Sequence, residues 1–341
     1  MAQTLAVKYR PHNWDSVVEQ ESVKIILQQQ LQAGEVKHAY LFCGGAGTGK
    51  TTCARIFAND INGGEGNPIE LDAASNSSVD DVRNIIQQAK TKSLDSEYKV
   101  FIIDECHAIS NTGWQAFLKL IEEPPAKSIF IFCTTDPQKI PKTILSRVQR
   151  YDFKRISQDG IVLRLMHILT YEGLEAYYEP NALEYIAKLA EGGMRDAITM
   201  LDKCLSFSKE VTVGNVVKAL GVANYNNMIE ITSAFVYGEA NNLIVALERI
   251  HSDGVDMKQF IRQYLNFVLD IKKWFILGDF KFLQIPQINT IEDFINDIDK
   301  EDNMWDSISN LLDIIIKINS AVKYDSNPKY LIEAMLLEGI K

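Results

Sequence analysis

The sequence is poor in the residues that staple or ligate. Five cysteines (Cys43, Cys53, Cys106, Cys133 and Cys204) and five histidines are scattered over 341 residues, with no CxxC pair and no histidine cluster. Such spacing supports neither a disulfide framework nor a zinc site, and the cysteines read as buried, reduced thiols. Long apolar runs are missing too: no stretch approaches the ~18 apolar residues of a membrane span. The opening "MAQTLAVKYRPHNW" has neither the apolar core nor the cleavage site of a secretory signal. A cytoplasmic protein with no membrane partner is the expectation. Bulk positive charge is also lacking, since the formal net charge is −10. Residues 1–150 carry 16 Lys+Arg against 17 Asp+Glu, and residues 151–341 carry 19 against 28. Contact with nucleic-acid phosphates must therefore come from local arrangement, and the first half is better placed for it.

What is present describes a globular chain, 46% hydrophobic and 23% charged, and too long for one ordinary core; two or three domains are expected. Up to about residue 155, short apolar runs alternate with helical stretches, the pattern of a parallel sheet covered by helices. The runs are "AYLFC" (39–43), "IELDA" (69–73), "KVFIID" (99–104) and "SIFIFCTT" (128–135). Between them, 78–90 puts Val79, Val82, Ile85, Ile86 and Ala89 on one helical face, and "TGWQAFLKLIEEPP" reads as a helix stopped by Pro124 and Pro125. After about residue 156 helical periodicity takes over. Residues 157–208 form a small helical unit, with two helices of "NALEYIAKLAEGGMRDAITMLDKCL" joined through Gly192 and Gly193. Further helices follow from about Val213, the most apolar over 257–277, and the acidic 290–305 reads as a connection followed by a solvated helix start.

"GGAGTGKTT" carries the first chemistry. Gly44 to Thr51 match GxxxxGK[ST]. Glycines at Gly44, Gly45, Gly47 and Gly49, with Ala46 and Thr48 between them, let backbone N–H groups turn inward around phosphates. Lys50 reaches the terminal phosphates, and the Thr51 hydroxyl ligates Mg²⁺. "AYLFC" leads in as a strand, and "KTTCARIFAND", with Thr52 in its first turn, leaves as a helix whose N-terminus faces the anion. A merely flexible glycine turn would not require Lys and Thr at the helix start.

About fifty residues on, "KVFIIDECHAIS" delivers Asp104 to the C-terminal end of a buried strand, where parallel α/β sheets place ligands. Asp104 is the candidate Mg²⁺ holder, through water, and Glu105 the candidate base for the attacking water. With Lys50 and Thr51 the pair makes nucleoside triphosphate hydrolysis the leading chemistry. Phosphoryl transfer also needs a γ-phosphate sensor and a cation to neutralise developing charge. Thr134 and Thr135 end the next strand, and Arg147 follows a short helix; position alone also fits a surface charge for Arg147. Arg195, in "EGGMRDA", either reaches back over the nucleotide or is another surface cation.

These residues in this order resemble the clamp-loader branch of the AAA+ ATPases, and within it the gamma/tau subunits of bacterial DNA polymerase III. The resemblance rests on "KYRPHNWDSVVEQE" (8–21), "HAYLFCGGAGTGKTTCARIFA" (38–58), "IIDECHAIS", "AFLKLIEEPP" (116–125), "TTDPQKIPKTILSR" (134–147) and "GGMRDAITMLDK" (192–203). It is strong over 6–205 and weak beyond. It implies an α/β P-loop AAA+ core with a parallel sheet over 1–156, a helical lid over 157–210 and an all-α collar for oligomerisation over 211–341. It implies ATP and Mg²⁺ as ligands, and as partners a sliding clamp, primer–template DNA, and other clamp-loader subunits or copies of the chain in a pentamer-like ring. Tyr9, Arg10, Pro11 and Val18 fall in the family's opening box around base and ribose. Thr135 takes the sensor position of the core, Arg195 that of the lid, and Arg147 that of an arginine finger completing the neighbouring subunit's site.

Two departures stand out. Only "NDINGGEGNP" separates Ala58 from Ile69, where cellular gamma/tau proteins carry a four-cysteine zinc module, so no zinc is expected and a phage-encoded or divergent relative fits. "SRV" stands in place of "SRC" but keeps the arginine. The sequence stops at Lys341 without the long tail by which the tau form reaches polymerase and helicase, so that bridging role is not expected.

"DAASNSSVDDVR" (72–83) either presents helix N–H groups to a DNA backbone or is an ordinary capped helix, and Arg83 is equally ambiguous beside Asp80. In "AISNTGWQ", Ile109 and Trp114 are candidate clamp contacts, with a buried tryptophan the competing reading. Two rivals remain: a stator-like subunit that does not hydrolyse ATP, against which Lys50, Thr51, Asp104 and Glu105 speak, and a helicase-type motor prompted by "DECH".

Overall fold

The structure of the chain, a computed structural model, describes residues 3–75, 79–93, 95–221, 225–279, 283, 285, 289–298 and 304–340. It divides into two compact units, Met1–Ile168 with Leu189–Thr199, and Leu169–Lys188 with Met200–Lys341.

The first unit opens with a single helical turn, α1 (Leu5–Lys8), and is built on five strands: β1 (Ala39–Cys43), β2 (Ile69–Asp72), β3 (Lys99–Asp104), β4 (Ser128–Thr134) and β5 (Gln149–Asp152). They pair in the order β2-β3-β4-β1-β5, every pair parallel. All five residues of β1 and all seven of β4 are buried, because helices cover both faces of the sheet. The period of two still sorts side chains. Leu41, Phe101, Ile103, Phe130 and Phe132 share a core with α4 (Val79–Ala89) and α5 (Asn111–Glu122). Tyr40, Phe42, Val100, Ile102, Ile131 and Cys133 share the other with α2 (Glu21–Ala33) and α3 (Lys50–Ile61). The Ser110 side chain accepts the Gly113 N–H at the start of α5, and the helix ends just before the two prolines, which cannot continue it.

β5, "QRYD", is a strand that periodicity did not indicate, since Tyr151 is its only buried residue. Its pairing puts Tyr151 opposite Phe42, where the ring joins an aromatic layer 5.6 Å from Phe42 and 6.2 Å from Tyr40. Neighbouring rings, not the strand's own pattern, hold it.

The short helix α6 (Lys142–Leu145) precedes β5, and α7 (Gln158–Tyr171) follows it and runs from the first unit into the second. Beyond lie α8 (Pro180–Leu189), α9 (Met194–Phe207), α10 (Val213–Leu220), α11 (Tyr225–Val236), α12 (Ala240–Ser252), α13 (Met257–Leu277), α14 (Asn289–Ile298), α15 (Met304–Ala321) and α16 (Pro328–Gly339). In the second unit, α13 supplies Phe260, Ile261, Tyr264, Phe267, Val268 and Ile271 at helical spacing to one core with α11, α12, α15 and α16. Asp256 caps it, accepting from the N–H groups of Lys258 and Gln259.

The expected acidic connection is in part a helix. Ile295 in α14 is fully buried and Phe294 packs on the same core, so two apolar residues anchor a segment whose charges sit on the remaining face. Its continuation over 299–303 lies outside the described residues. Among the described residues no helix is long and apolar enough to cross a membrane.

Candidate nucleotide site

β1 ends at Cys43 and hands the chain to the loop at a junction braced from both sides. Gly44 N–H donates to Thr134 O at 3.2 Å, and Phe153 N–H donates to Cys43 O at 2.7 Å. A Cβ on Gly44 would stand 2.6 Å from Phe153 O, and Gly47 and Gly49 hold φ of +68° and +100°, so glycine is required here on both grounds. α3 begins at Lys50 with no side-chain cap, which leaves its first N–H groups for an anion. Lys50 is buried, and its Nζ donates to Gly44 O at 2.8 Å and Gly45 O at 2.7 Å. Burial lowers its pKa, while the Glu105 and Asp104 carboxylates pull the other way. A cation held inside the loop's own curve is placed for phosphate oxygens. Thr48, also buried, turns its hydroxyl onto Gly45 O at 2.9 Å and so braces the loop internally.

Thr51 donates through Oγ1 to Asp104 Oδ2 at 2.7 Å. The hydroxyl hydrogen is thus taken by the carboxylate, and the lone pairs of Oγ1 remain for a cation. A hydroxyl beside a carboxylate is the hard oxygen donor set that suits Mg²⁺, which takes few protein ligands and completes its shell with water and phosphate. The residues present fit that ion. Glu105 follows with its backbone in the left-handed region, φ +46°, and its Oε2 accepts from the Thr135 hydroxyl at 3.0 Å. Strand ends β1, β3 and β4 therefore bring Lys50, Thr51, Asp104, Glu105 and Thr135 together.

The opening box reaches the same place. Arg10 Nε donates to Thr52 Oγ1 at 3.3 Å. Burial, and after it Arg55, lower the Arg10 guanidinium below its ordinary value; Arg195 adds to this, while Glu70 and Asp104 oppose it. Arg195 is exposed, and it follows a turn that packs on the loop: Met194 N–H donates to Gly47 O at 3.0 Å, and a Cβ on Gly47 would meet Gly193 Cα at 3.0 Å. Tyr9 O accepts from Arg164 at 2.8 Å, and Pro11 and Val18 are half-buried. Arg147 is held elsewhere. It is exposed, pairs with Glu122 at 2.8 Å and donates to Thr143 O at 2.9 Å.

Some neighbours escaped the sequence reading. Gln20, buried and left-handed at φ +60°, donates to Lys154 O at 2.7 Å and Thr48 O at 3.4 Å, and accepts from Lys154 N–H at 3.1 Å. Its amide ties the opening box to the loop, and its place inside "VVEQE" was the available signal. The roles of His107 and Glu122 were equally unmarked. The two apolar clamp candidates belong to the core: Ile109 and Trp114 are 6% and 2% exposed, and the Trp114 ring lies 5.3 Å from Phe132. Of the DNA candidates, Asn76, Ser77 and Ser78 lie outside the described residues.

A parallel sheet ordered β2-β3-β4-β1-β5, with a phosphate loop after β1 and an Asp-Glu pair at the end of β3, defines a P-loop AAA+ core, followed in the chain by a helical region. The solved structure of the RuvB Holliday junction branch migration motor of Thermotoga maritima shares that fold, with a TM-score of 0.52 and 20% identity, over 70% of this chain and 85% of that one. Residues 67–157 match the family described as DNA polymerase III, delta subunit. Residues 160–210 match the DNA polymerase III clamp loader subunit, ATPase lid domain. DNA polymerase III subunit tau of Bacillus subtilis is 43% identical over 230 residues, 61% of this chain and 40% of that protein. DNA polymerase III subunit gamma/tau of Mycoplasma genitalium is 30% identical over 315 residues, 86% of this chain and 52% of its own length. The chain thus spans about half the length of such relatives or less. It belongs to the clamp-loader family of AAA+ proteins, among the relatives of the DNA polymerase III gamma/tau subunits.

Proposed function

We propose that the chain is an ATP-dependent clamp-loader subunit that opens a sliding clamp and places it around primer–template DNA during replication, with ATP hydrolysis triggering release. The observation that carries the reading is the Thr51–Asp104 contact at 2.7 Å beside the buried Lys50. In this reading Lys50 and the N–H groups of Gly44–Thr52 bind the phosphates, while Tyr9, Arg10, Pro11 and Val18 flank base and ribose. Thr51 and Asp104 hold Mg²⁺, which when bound neutralises phosphate charge. Glu105 takes a proton from the attacking water, Thr135 orients that carboxylate, and Arg195 approaches from the lid. Arg147 acts in the neighbouring subunit's site, which makes an isolated copy a poor ATPase and couples turnover to assembly. Residues 1–156, 157–210 and 211–341 serve as core, lid and collar of a pentamer-like ring formed with other subunits or further copies.

The test is steady-state ATP turnover by the chain with its accessory subunits, with and without clamp and primed DNA. Weak basal turnover, a large rise only when clamp and primed DNA are both present, and loss in Lys50→Ala and Arg147→Ala are expected. Strong turnover on single-stranded DNA alone, indifferent to Arg147→Ala, would replace this reading with a translocating motor.

A further inference from the structure

The histidine of "DECH" has no part in the phosphate chemistry above, yet its ring faces the end of the sheet where that chemistry is placed. His107 Nδ1 lies 3.2 Å from Glu105 Oε2 and 3.2 Å from Thr134 Oγ1. The same Glu105 oxygen accepts from the Thr135 hydroxyl at 3.0 Å. Thr134 is fully buried, and its Oγ1 accepts the Asp136 N–H at 3.0 Å, so the hydroxyl beneath the imidazole is itself fixed. An ionised carboxylate only accepts hydrogen bonds. The Nδ1 to Oε2 approach is therefore favourable in the tautomer that carries the proton on Nδ1. The left-handed backbone of Glu105, φ +46° and ψ 41°, is sparsely populated by residues other than glycine. It turns the side chain out of the line of β3, so contacts rather than strand geometry decide where the carboxylate rests.

We propose that His107 is a positioning residue for hydrolysis. Its ring nitrogen, 3.2 Å from Oε2, and the Thr135 hydroxyl together fix where the Glu105 carboxylate rests, which leaves Oε1 to take the proton of the attacking water. The inference rests on Glu105 being the base in the function proposed above. It gives the fourth letter of "DECH" a task inside the chain's own site, with no helicase activity required.

The experiment uses the full chain assembled with its partner subunits, clamp and primed DNA, and reads kcat and KM for ATP separately. His107→Ala is expected to lower kcat about tenfold, at the lower end of what loss of an orienting partner costs, with KM within about twofold of the wild type. His107→Asn, whose amide nitrogen stands near the place of Nδ1, should recover most of the loss. In a Glu105→Gln background, where single-turnover rates replace kcat, adding His107→Ala should change the residual rate by less than about twofold, because the two residues act as one unit. A His107→Ala enzyme that turns over like the wild type overturns the proposal, and so does a loss that Asn does not recover or one that adds fully to Glu105→Gln. Absence of ATP turnover in the wild-type assembly overturns the hydrolysis reading itself, a result distinct from a wild type that turns over and a variant that matches it.

Discussion

The hydroxyl of Thr51 donates to Oδ2 of Asp104 at 2.7 Å, so the first turn of α3 and the end of β3 are joined side chain to side chain. Thr51→Val keeps the shape and removes the oxygen. The Mg²⁺-dependent part of nucleotide affinity should fall at least about tenfold, since hydrogen bonds to charged groups contribute ~1.5–3 kcal/mol. Affinity in excess chelator should hardly move. Titration of a fluorescent nucleotide with and without chelator separates the two.

Gly47 has φ +68° and no room for a methyl group, with Gly193 Cα 3.0 Å from the place its Cβ would take. Gly47→Ala should strain the loop and push the 192–195 turn away, weakening nucleotide binding about tenfold or more at a strain of ~1–3 kcal/mol. Calorimetric titration reads the affinity. Gly34→Ala shares a positive φ, +67°, but meets open space and lies away from the loop, so it should leave binding unchanged.

Arg147 rests against Glu122 with both side chains partly exposed. Such pairs contribute ~0–1 kcal/mol, so Glu122→Ala should shift the urea midpoint very little. Arg147→Ala should leave nucleotide affinity intact and remove turnover only in the assembled complex. Loss of affinity in the isolated chain would place this arginine in its own subunit's site.

All five cysteines are buried, and burial pushes the thiol pKa up to about 11 at Cys43 and Cys204 and about 12 at Cys53. A disulfide-exchange reagent at pH 8 should modify none of them in the native protein and all five after unfolding. The same shifts set a sign for stability. Below about pH 9 the thiols are protonated in both states and their contribution is fully present. As pH rises through about 11 the unfolded chain releases protons that the folded one keeps, and stability falls. Urea midpoints at pH 8 and pH 10.5 should show the drop.

Trp114 lies among Phe117 and Phe132. Trp114→Ala should therefore cost about 3–5 kcal/mol in urea unfolding. A variant that weakens clamp binding at unchanged stability would contradict its place in the core.

Much of the first unit was legible because its central strands are buried on both faces: "AYLFC" is apolar end to end and "KVFIID" is apolar between its charged ends, and β1 and β3 have those bounds. The phosphate loop was legible because Lys50 and Thr51 follow the glycines at fixed spacing. β5 was not, since its hold comes from Tyr40 and Phe42 on another strand. Gln20 and His107 were not either, because their partners lie 28 and 134 residues away from Gln20 and 27 from His107. A polar side chain whose meaning depends on so distant a partner leaves no local period. The acidic composition of 290–298 likewise hid the two apolar residues that make α14 a packed helix.

The Met194 N–H bond to Gly47 O has a mechanical side. Met194 is the first residue of α9, so the loop and the start of that helix are tied backbone to backbone. Arg195 comes next in the chain, so its backbone hangs from the same short stretch that the loop carbonyl holds. Loop and helix start are thereby yoked, and neither stretch of backbone can shift without pulling on the other.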